Sequence, residues 1–276
     1  MSPKGAVQEL APAKINLTLH VTGQRPDGYH LLDSLVVFAD FGDLLTIAPA
    51  EAPSLTLTGP LSAGLPTDDS NLVHKAMAFA GWAGAVTLEK RLPAAAGIGG
   101  GSSDAAATLR GLARLLDAPL PTGTEALGAD VPVCLAARAA RMQGVGEVVT
   151  PQPALPPLHA VLVNPGIDIP TPLIFRALSS KTDPPMPVDL PDWPDAAALI
   201  VWLHGMRNDL EPPALSQAPE VGAVLDHLRQ DKACLLARMS GSGATCFALT
   251  DTRQAAEAMA DRLSDTGWWV QPVTLA

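Results

Sequence analysis

The chain has 276 residues and a formal net charge of −10, with 28 acidic against 18 basic side chains. Hydrophobic residues make up 47%, enough to bury a core for one large domain or two ordinary ones. This balance speaks against non-specific nucleic-acid binding, which draws on a basic surface, and no apolar run reaches the length of a membrane span. Residues 1–12 carry neither an apolar signal core nor an Arg-rich amphipathic pattern, so an untargeted, cytoplasmic protein is expected, with no membrane and no nucleic acid as partner.

Residues 13–21 alternate. Ile15, Leu17, Leu19 and Val21 fall on one face; Lys14, Asn16, Thr18 and His20 fall on the other. This predicts a half-buried strand that projects Lys14 and Asn16 from one side. Pro26-Asp27-Gly28 predicts a turn, and it precedes Tyr29, the single tyrosine of a chain that is 4% aromatic. Strands are expected over 31–39 and 43–47, a helix over 71–82 and a strand over 86–90.

The next segment is the most informative. Pro93-Ala94-Ala95-Ala96-Gly97-Ile98-Gly99-Gly100-Gly101-Ser102-Ser103-Asp104 holds four glycines within five residues and leads into an amphipathic helix expected from Ala105. Glycine permits positive φ and close approach to a ligand. The first N–H groups of a helix lack intrahelical partners, and the dipole adds positive charge there. Such a loop is an anion site, most often for phosphate. It lacks the order of a dinucleotide-binding fingerprint, and no Gly-Lys-Ser/Thr follows. Ser103 and Asp104 are also good helix caps.

Gly128-Ala129-Asp130-Val131-Pro132 reads as a turn or helix start, where Asp130 could serve as a cap, before the apolar run 133–137. Four prolines within 151–157 suit a connection, which gives two domains, 1–152 and 153–276. Beyond it come a strand over 158–163, a proline-rich loop over 183–194 and helices over 221–229 and 253–264. Strand-like runs over 234–239 and 245–250 flank Ser240-Gly241-Ser242-Gly243, which alone reads as a hairpin turn. Interleaved strands and helices indicate a mixed α/β or α+β protein. His20, His74, His159, His204 and His227 show no metal-ligand spacing. Cys134, Cys234 and Cys246 form no Cys-x-x-Cys and read as buried structural thiols in a reducing compartment.

Five segments occur in order: 11–17 (Ala-Pro-Ala-Lys-Ile-Asn-Leu), 25–31 (Arg-Pro-Asp-Gly-Tyr-His-Leu), the glycine loop, 127–132 and 239–245. Together they resemble the GHMP kinase superfamily, which includes galactokinase and the homoserine, mevalonate and phosphomevalonate kinases. Segment 25–30 is the more specific part. It is similar to members whose acceptor is a cytidine diphosphate ester of a branched polyol, in the non-mevalonate route to isoprenoids. Asn164-Pro165-Gly166, 171–175 and 208–211 extend the likeness through the second half.

The resemblance implies an α+β two-domain fold. Its N-terminal α/β domain would be like ribosomal protein S5 domain 2, and its C-terminal α+β domain would be ferredoxin-like. It implies transfer of the ATP γ-phosphoryl group to a hydroxyl, by positioning and charge stabilisation. Pro93, Ala94, Ala95, Ala96, Gly97, Ile98, Gly99, Gly100, Gly101, Ser102 and Ser103 would wrap the phosphates, and Asn71 and Lys90 would line the adenine pocket. Asp130 would accept or orient the hydroxyl proton, and Lys14 would stabilise the transferring group. Asn16, Tyr29, His30, Thr171, Pro172 and Phe175 would bind the cytidylyl substrate, with Tyr29 and Phe175 on the two faces of the base. Mg²⁺ would arrive with ATP, held largely by phosphates and water. The Ser240 loop would form a wall of the site. The alternatives are a homoserine- or mevalonate-type kinase, or a nucleotide binder without catalysis.

Overall fold

The structure, a computed structural model, describes residues 5–276; the first four positions of the expected untargeted N-terminus lie outside them. The strands are β1 (Val7–Asn16), β2 (His20–Gln24), β3 (His30–Pro49), β4 (Ser54–Thr58), β5 (Gly84–Glu89), β6 (Ala140–Gly144), β7 (Val148–Pro151), β8 (Leu158–Asn164), β9 (Leu236–Met239), β10 (Cys246–Thr250) and β11 (Trp269–Leu275). The helices are α1 (Leu72–Phe79), α2 (Gly100–Leu116), α3 (Val131–Ala136), α4 (Thr171–Arg176), α5 (Ala196–His204), α6 (Glu211–Gln217), α7 (Pro219–Gln230) and α8 (Arg253–Arg262).

The chain forms two compact units that are not consecutive stretches of sequence. The first takes the described residues up to Lys14, then Phe41–Ala94 and Gly99–Ala137. The second takes Ile15–Asp40, Ala95–Ile98 and Arg138–Ala276.

In the first unit, β5 pairs in parallel with β4 and antiparallel with the second half of β3, Leu44 opposite Glu89 and Pro49 opposite Gly84. Leu45, Ile47, Val86 and Leu88 point from these strands onto Val73 and Met77 of α1 and Ala107 and Leu112 of α2. Each such aliphatic side chain contributes about 1.5–3 kcal/mol when fully buried. Helix α2 lies so close to β3 that a Cβ at Gly111 would stand 2.2 Å from Ile47 Cδ1. Asn71 caps α1, its side chain accepting from the Val73 N–H.

In the second unit, β11, β8, β10 and β9 are antiparallel neighbours in that order. The first half of β3 pairs with β6, Leu32 opposite Gly144. Val161, Val163 and Ala248 bury against Val221, Val224, Leu225 and Leu228 of α7 and against Ala256 and Met259 of α8. The stretch 183–194 is irregular, as expected.

Two expectations are corrected. Residues 13–21 are not one half-buried strand. The N–H groups of Leu17 and Thr18 both donate to Leu35 O, at 2.9 and 3.4 Å, and the chain bends there between β1 and β2. The polar face is buried too: Lys14, Asn16, Thr18 and His20 are 4%, 3%, 0% and 1% exposed. Residues 31–39 and 43–47 are one strand of 20 residues, not two. Gly42 marks close approach rather than a turn, since a Cβ there would stand 2.0 Å from Ala11 O.

Candidate active site

Lys14 Nζ lies 2.9 Å from Asp130 Oδ2. The lysine side chain is almost wholly buried, and the carboxylate is about one-third exposed, at 35%. Asp130 stands at the N-cap of α3, yet its side chain makes no cap hydrogen bond. It is turned to Lys14 instead. A buried ammonium costs several kcal/mol unless paired, so the pair is held together while one carboxylate edge stays open to a ligand. Gly99 packs on the lysine: a Cβ there would stand 3.2 Å from Lys14 Cβ and 3.7 Å from Cys134 Sγ. Behind it, burial first and the Asp130 charge second push the Cys134 thiol up to about 12. Cys246 is likewise buried and shifted upward, whereas Cys234 is only half-buried, against expectation.

Helix α2 begins at Gly100, not at Ala105. Its N-cap is Gly99, in the left-handed region with φ 68°, and no side chain caps it. Ser102 and Ser103 therefore belong to the first turn, and Asp104 follows it. Ser103 and Asp104 are not caps, because both are buried and their side chains bond elsewhere, Asp104 through Oδ2 alone. Ser103 Oγ donates to Pro12 O at 2.7 Å, and Asp104 Oδ2 accepts from Lys90 Nζ at 2.8 Å. The free N–H groups of the turn remain for an anion. Ala94, Ala95 and Gly101 are exposed along the loop, Pro93, Gly100 and Ser102 half-buried.

The loop residues Ala95–Ile98 rest on the second glycine loop. Ser240 Oγ donates to Gly97 O at 3.0 Å and accepts from Asn16 N–H at 3.1 Å. Ala96 O accepts from Thr245 N–H at 3.1 Å. Gly97 has φ 72°, and a Cβ on it would lie 2.4 Å from Ser240 O. Asn208 holds the second loop in turn, donating to Met239 O and Gly241 O at 2.7 and 2.9 Å.

Lys90 is enclosed by Asp43 and Asp104. Asp43 also accepts from the N–H groups of Arg91 and Leu92, at 2.6 and 2.8 Å. Burial pulls the Lys90 ammonium downward, but the Asp104 and Asp43 charges outweigh it and hold it above the usual lysine range. Burial pushes Asp104 upward more than Lys90 pulls it down, to about 8. Two buried carboxylates facing one ammonium do not both stay ionised at neutral pH, and the buried Asp104 holds the proton.

In the second unit, Asn16 Nδ2 donates to Ser34 Oγ at 2.8 Å, while Asn16 Oδ1 is buried without a partner. His30 stacks on Phe175, ring centroids 4.8 Å apart, and its Nε2 is also buried without a partner. Burial first, and the Lys181 charge second, hold the imidazole below its usual value and so neutral at pH 7. Tyr29 is 64% exposed, at the end of the expected turn. Thr171 Oγ1 lies 2.8 Å from Ser242 Oγ, and Pro172 is exposed beside it. Arg141 grips Asp33 with two bonds of 2.7 Å and holds the carbonyls of Pro187 and Val188, fastening the proline-rich loop. Sequence reading missed this clamp, the Lys90 enclosure and the Asn208 support. Among the described residues no three His, Cys, Asp or Glu side chains converge to hold a metal ion.

Residues 71–139 match the GHMP kinases N terminal domain, and residues 188–267 match the GHMP kinases C terminal family. A 4-diphosphocytidyl-2-C-methyl-D-erythritol kinase of Dinoroseobacter shibae is 59% identical, covering 96% of this chain and 93% of its own. One of Cereibacter sphaeroides is 57% identical, covering 97% and 99%. A crystal structure of 4-(cytidine 5'-diphospho)-2C-methyl-D-erythritol kinase superposes with a TM-score of 0.78 at 37% identity, covering 98% of this chain and 99% of its own.

Proposed function

The chain belongs to the GHMP kinases, among the 4-diphosphocytidyl-2-C-methyl-D-erythritol kinases, and from that premise we propose that it transfers the γ-phosphoryl group of ATP to the 2-hydroxyl of that cytidylyl substrate. The products are the 2-phosphate and ADP, and the reaction lies in the non-mevalonate isoprenoid pathway. The observation that carries the proposal is the Lys14–Asp130 pair, 2.9 Å apart, beside Gly99 at the start of α2. The acceptor oxygen bonds to the γ-phosphorus as the bond to the ADP oxygen breaks. Asp130 takes or orients the hydroxyl proton. Lys14 offsets the charge on the transferring group and on Asp130.

ATP phosphates would lie along residues 93–103, facing the free N–H groups of α2. The side chains of Asn71 and Lys90 are already bonded within the protein, so they would shape the adenine pocket rather than donate to the base. Mg²⁺ would enter with ATP, held largely by phosphates and water. The ion would neutralise phosphate charge.

For the acceptor, Asn16 Oδ1 and His30 Nε2 support the reading. Each is a buried polar atom without a partner, a state that costs about 1–3 kcal/mol until a ligand bonds to it. His30 would meet the cytosine edge, Asn16 the polyol, and Tyr29 and Phe175 the faces of the base, with Thr171 and Pro172 alongside. A homoserine or mevalonate acceptor leaves segment 25–30 without a task. The division into 1–152 and 153–276 is proposed as that of the two family halves, and the cytoplasm as the compartment. No helix among the described residues is long and apolar enough to cross a membrane.

The test is ATP turnover by the purified protein with 4-diphosphocytidyl-2-C-methyl-D-erythritol, homoserine or mevalonate. Turnover with the first alone is expected. Turnover with either of the others would overturn the acceptor, and none with any would overturn the reaction.

A further inference from the structure

Arg110 stands on α2, beyond the turn that begins at the glycine loop. Its Nη1 donates to Cys134 O at 2.7 Å and its Nη2 to Leu10 O at 2.6 Å, while Nε lies 3.3 Å from Glu9 Oε2. The guanidinium is largely buried, its side chain 17% exposed. Leu10 belongs to β1, the strand that carries Lys14. Cys134 belongs to α3, the helix capped by Asp130, and its own N–H donates to Asp130 O at 3.1 Å. One planar cation thus joins the two elements that deliver the Lys14–Asp130 pair.

Helix α3 has only 6 residues. A helix so short is marginal by its own hydrogen bonds, and its last carbonyls have no partner inside it. Arg110 supplies that partner at Cys134. The orientation of Asp130 is therefore set from the far end of its helix. The guanidinium fork suits this task because two donors leave it in fixed directions, which a lysine cannot reproduce. Glu9 offsets its charge and is held a second time by Arg114, at 2.6 Å.

We infer that Arg110 is a positioning residue for phosphoryl transfer: it fixes the separation and aim of Asp130 relative to Lys14 without touching either substrate. This rests on Lys14 and Asp130 being the catalytic pair.

The experiment measures kcat and both KM values for wild type, Arg110→Met, Asp130→Asn and the double variant, with thermal melts alongside. Misplacing a reacting group by a fraction of an ångström to an ångström costs about 10- to 100-fold, so Arg110→Met is expected to lower kcat by about that much. Both KM values should stay within about threefold, as for loss of a transition-state interaction. On the Asp130→Asn background the same substitution should change kcat less than about twofold. An unchanged kcat in Arg110→Met, or an equal loss on both backgrounds, would overturn the inference alone. An Asp130→Asn variant as active as wild type would overturn the catalytic pair together with it. If Arg110→Met does not fold, Arg110→Lys decides. It keeps the charge and stem but not the fork, so a kcat well below wild type at an unchanged melting temperature is expected, and a wild-type kcat overturns the role.

Discussion

His30 lies nearly flat on Phe175, the planes 25° apart and the centroids separated by 4.8 Å. No base fits between rings so close, so a cytosine that meets both His30 and Phe175 parts the two rings as it enters. Base–aromatic stacking is worth about 1–3 kcal/mol. Phe175→Ala should raise KM for the cytidylyl substrate by about 5- to 150-fold and leave KM for ATP alone. Equal changes in both constants would remove Phe175 from the cytidine site.

Asp130 is free of any capping duty, so its replacement tests chemistry more than helix stability. Asp130→Ala should lower kcat by about 10²- to 10⁴-fold, the usual range for a positioned acid or base, with ATP affinity nearly kept. Isothermal titration with ATP and single-turnover rates separate the two. A rate within twofold of wild type would leave the proton to another group.

Lys90 faces Asp43 and the protonated Asp104, so Lys90→Met leaves the buried Asp43 carboxylate without its cation. Breaking a buried pair in this way costs about 3–5 kcal/mol. The variant should unfold at clearly lower urea concentration, and adding Asp43→Asn should restore part of the loss. No recovery in the double variant would mean that the unpaired Asp43 carboxylate is not the source of the loss.

Asp104 sits at about 8 in the folded protein and near 4, about the ordinary carboxylate value, when unfolded. Between those values the native state binds a proton that the unfolded chain has released. Its contribution to stability is therefore full below about pH 4 and is lost as pH rises through about 8. Asp104→Asn fixes a neutral group and should flatten that slope. Urea midpoints from pH 5 to 8.5 decide; parallel curves for both proteins would assign the proton elsewhere.

Gly97 combines a positive φ with a carbonyl 2.4 Å from where a Cβ would stand. Neither Gly97 nor the Ser240 backbone can yield at small cost. Gly97→Ala should weaken ATP binding at least tenfold and lower the melting temperature. Gly101→Ala is expected to be far milder for stability, because a Cβ there would meet only Leu72 Cδ1, at 3.4 Å. Similar melting temperatures for the two variants would count against the loop-on-loop contact.

The parts of the site legible in the sequence are those whose meaning is local. The glycine run, Lys14 with Asn16, Asp130 and the 25–30 segment each carry a signature within a few residues. What escaped is tertiary. Arg110 meets a carbonyl 24 residues ahead and another 100 residues behind, and Lys90 meets Asp43 across 47. Alternation identified two faces of 13–21 but could not show that both are buried. Helix α6 opens with Glu211-Pro212-Pro213, which reads as a breaker although proline is tolerated in a first turn. Strand β11 was hidden in the same way by Pro272.

Cys134 gives the site an unusual chemical quietness. Thiolate, not thiol, is the form that oxidants and alkylating reagents attack, and this thiol is sealed beneath Gly99 and shifted to about 12. The sulfur behind Lys14 and Asp130 is thus inert filler. Maleimide reagents should reach half-buried Cys234 first, so that a probe can be attached there while the surroundings of Lys14 and Asp130 stay unmodified.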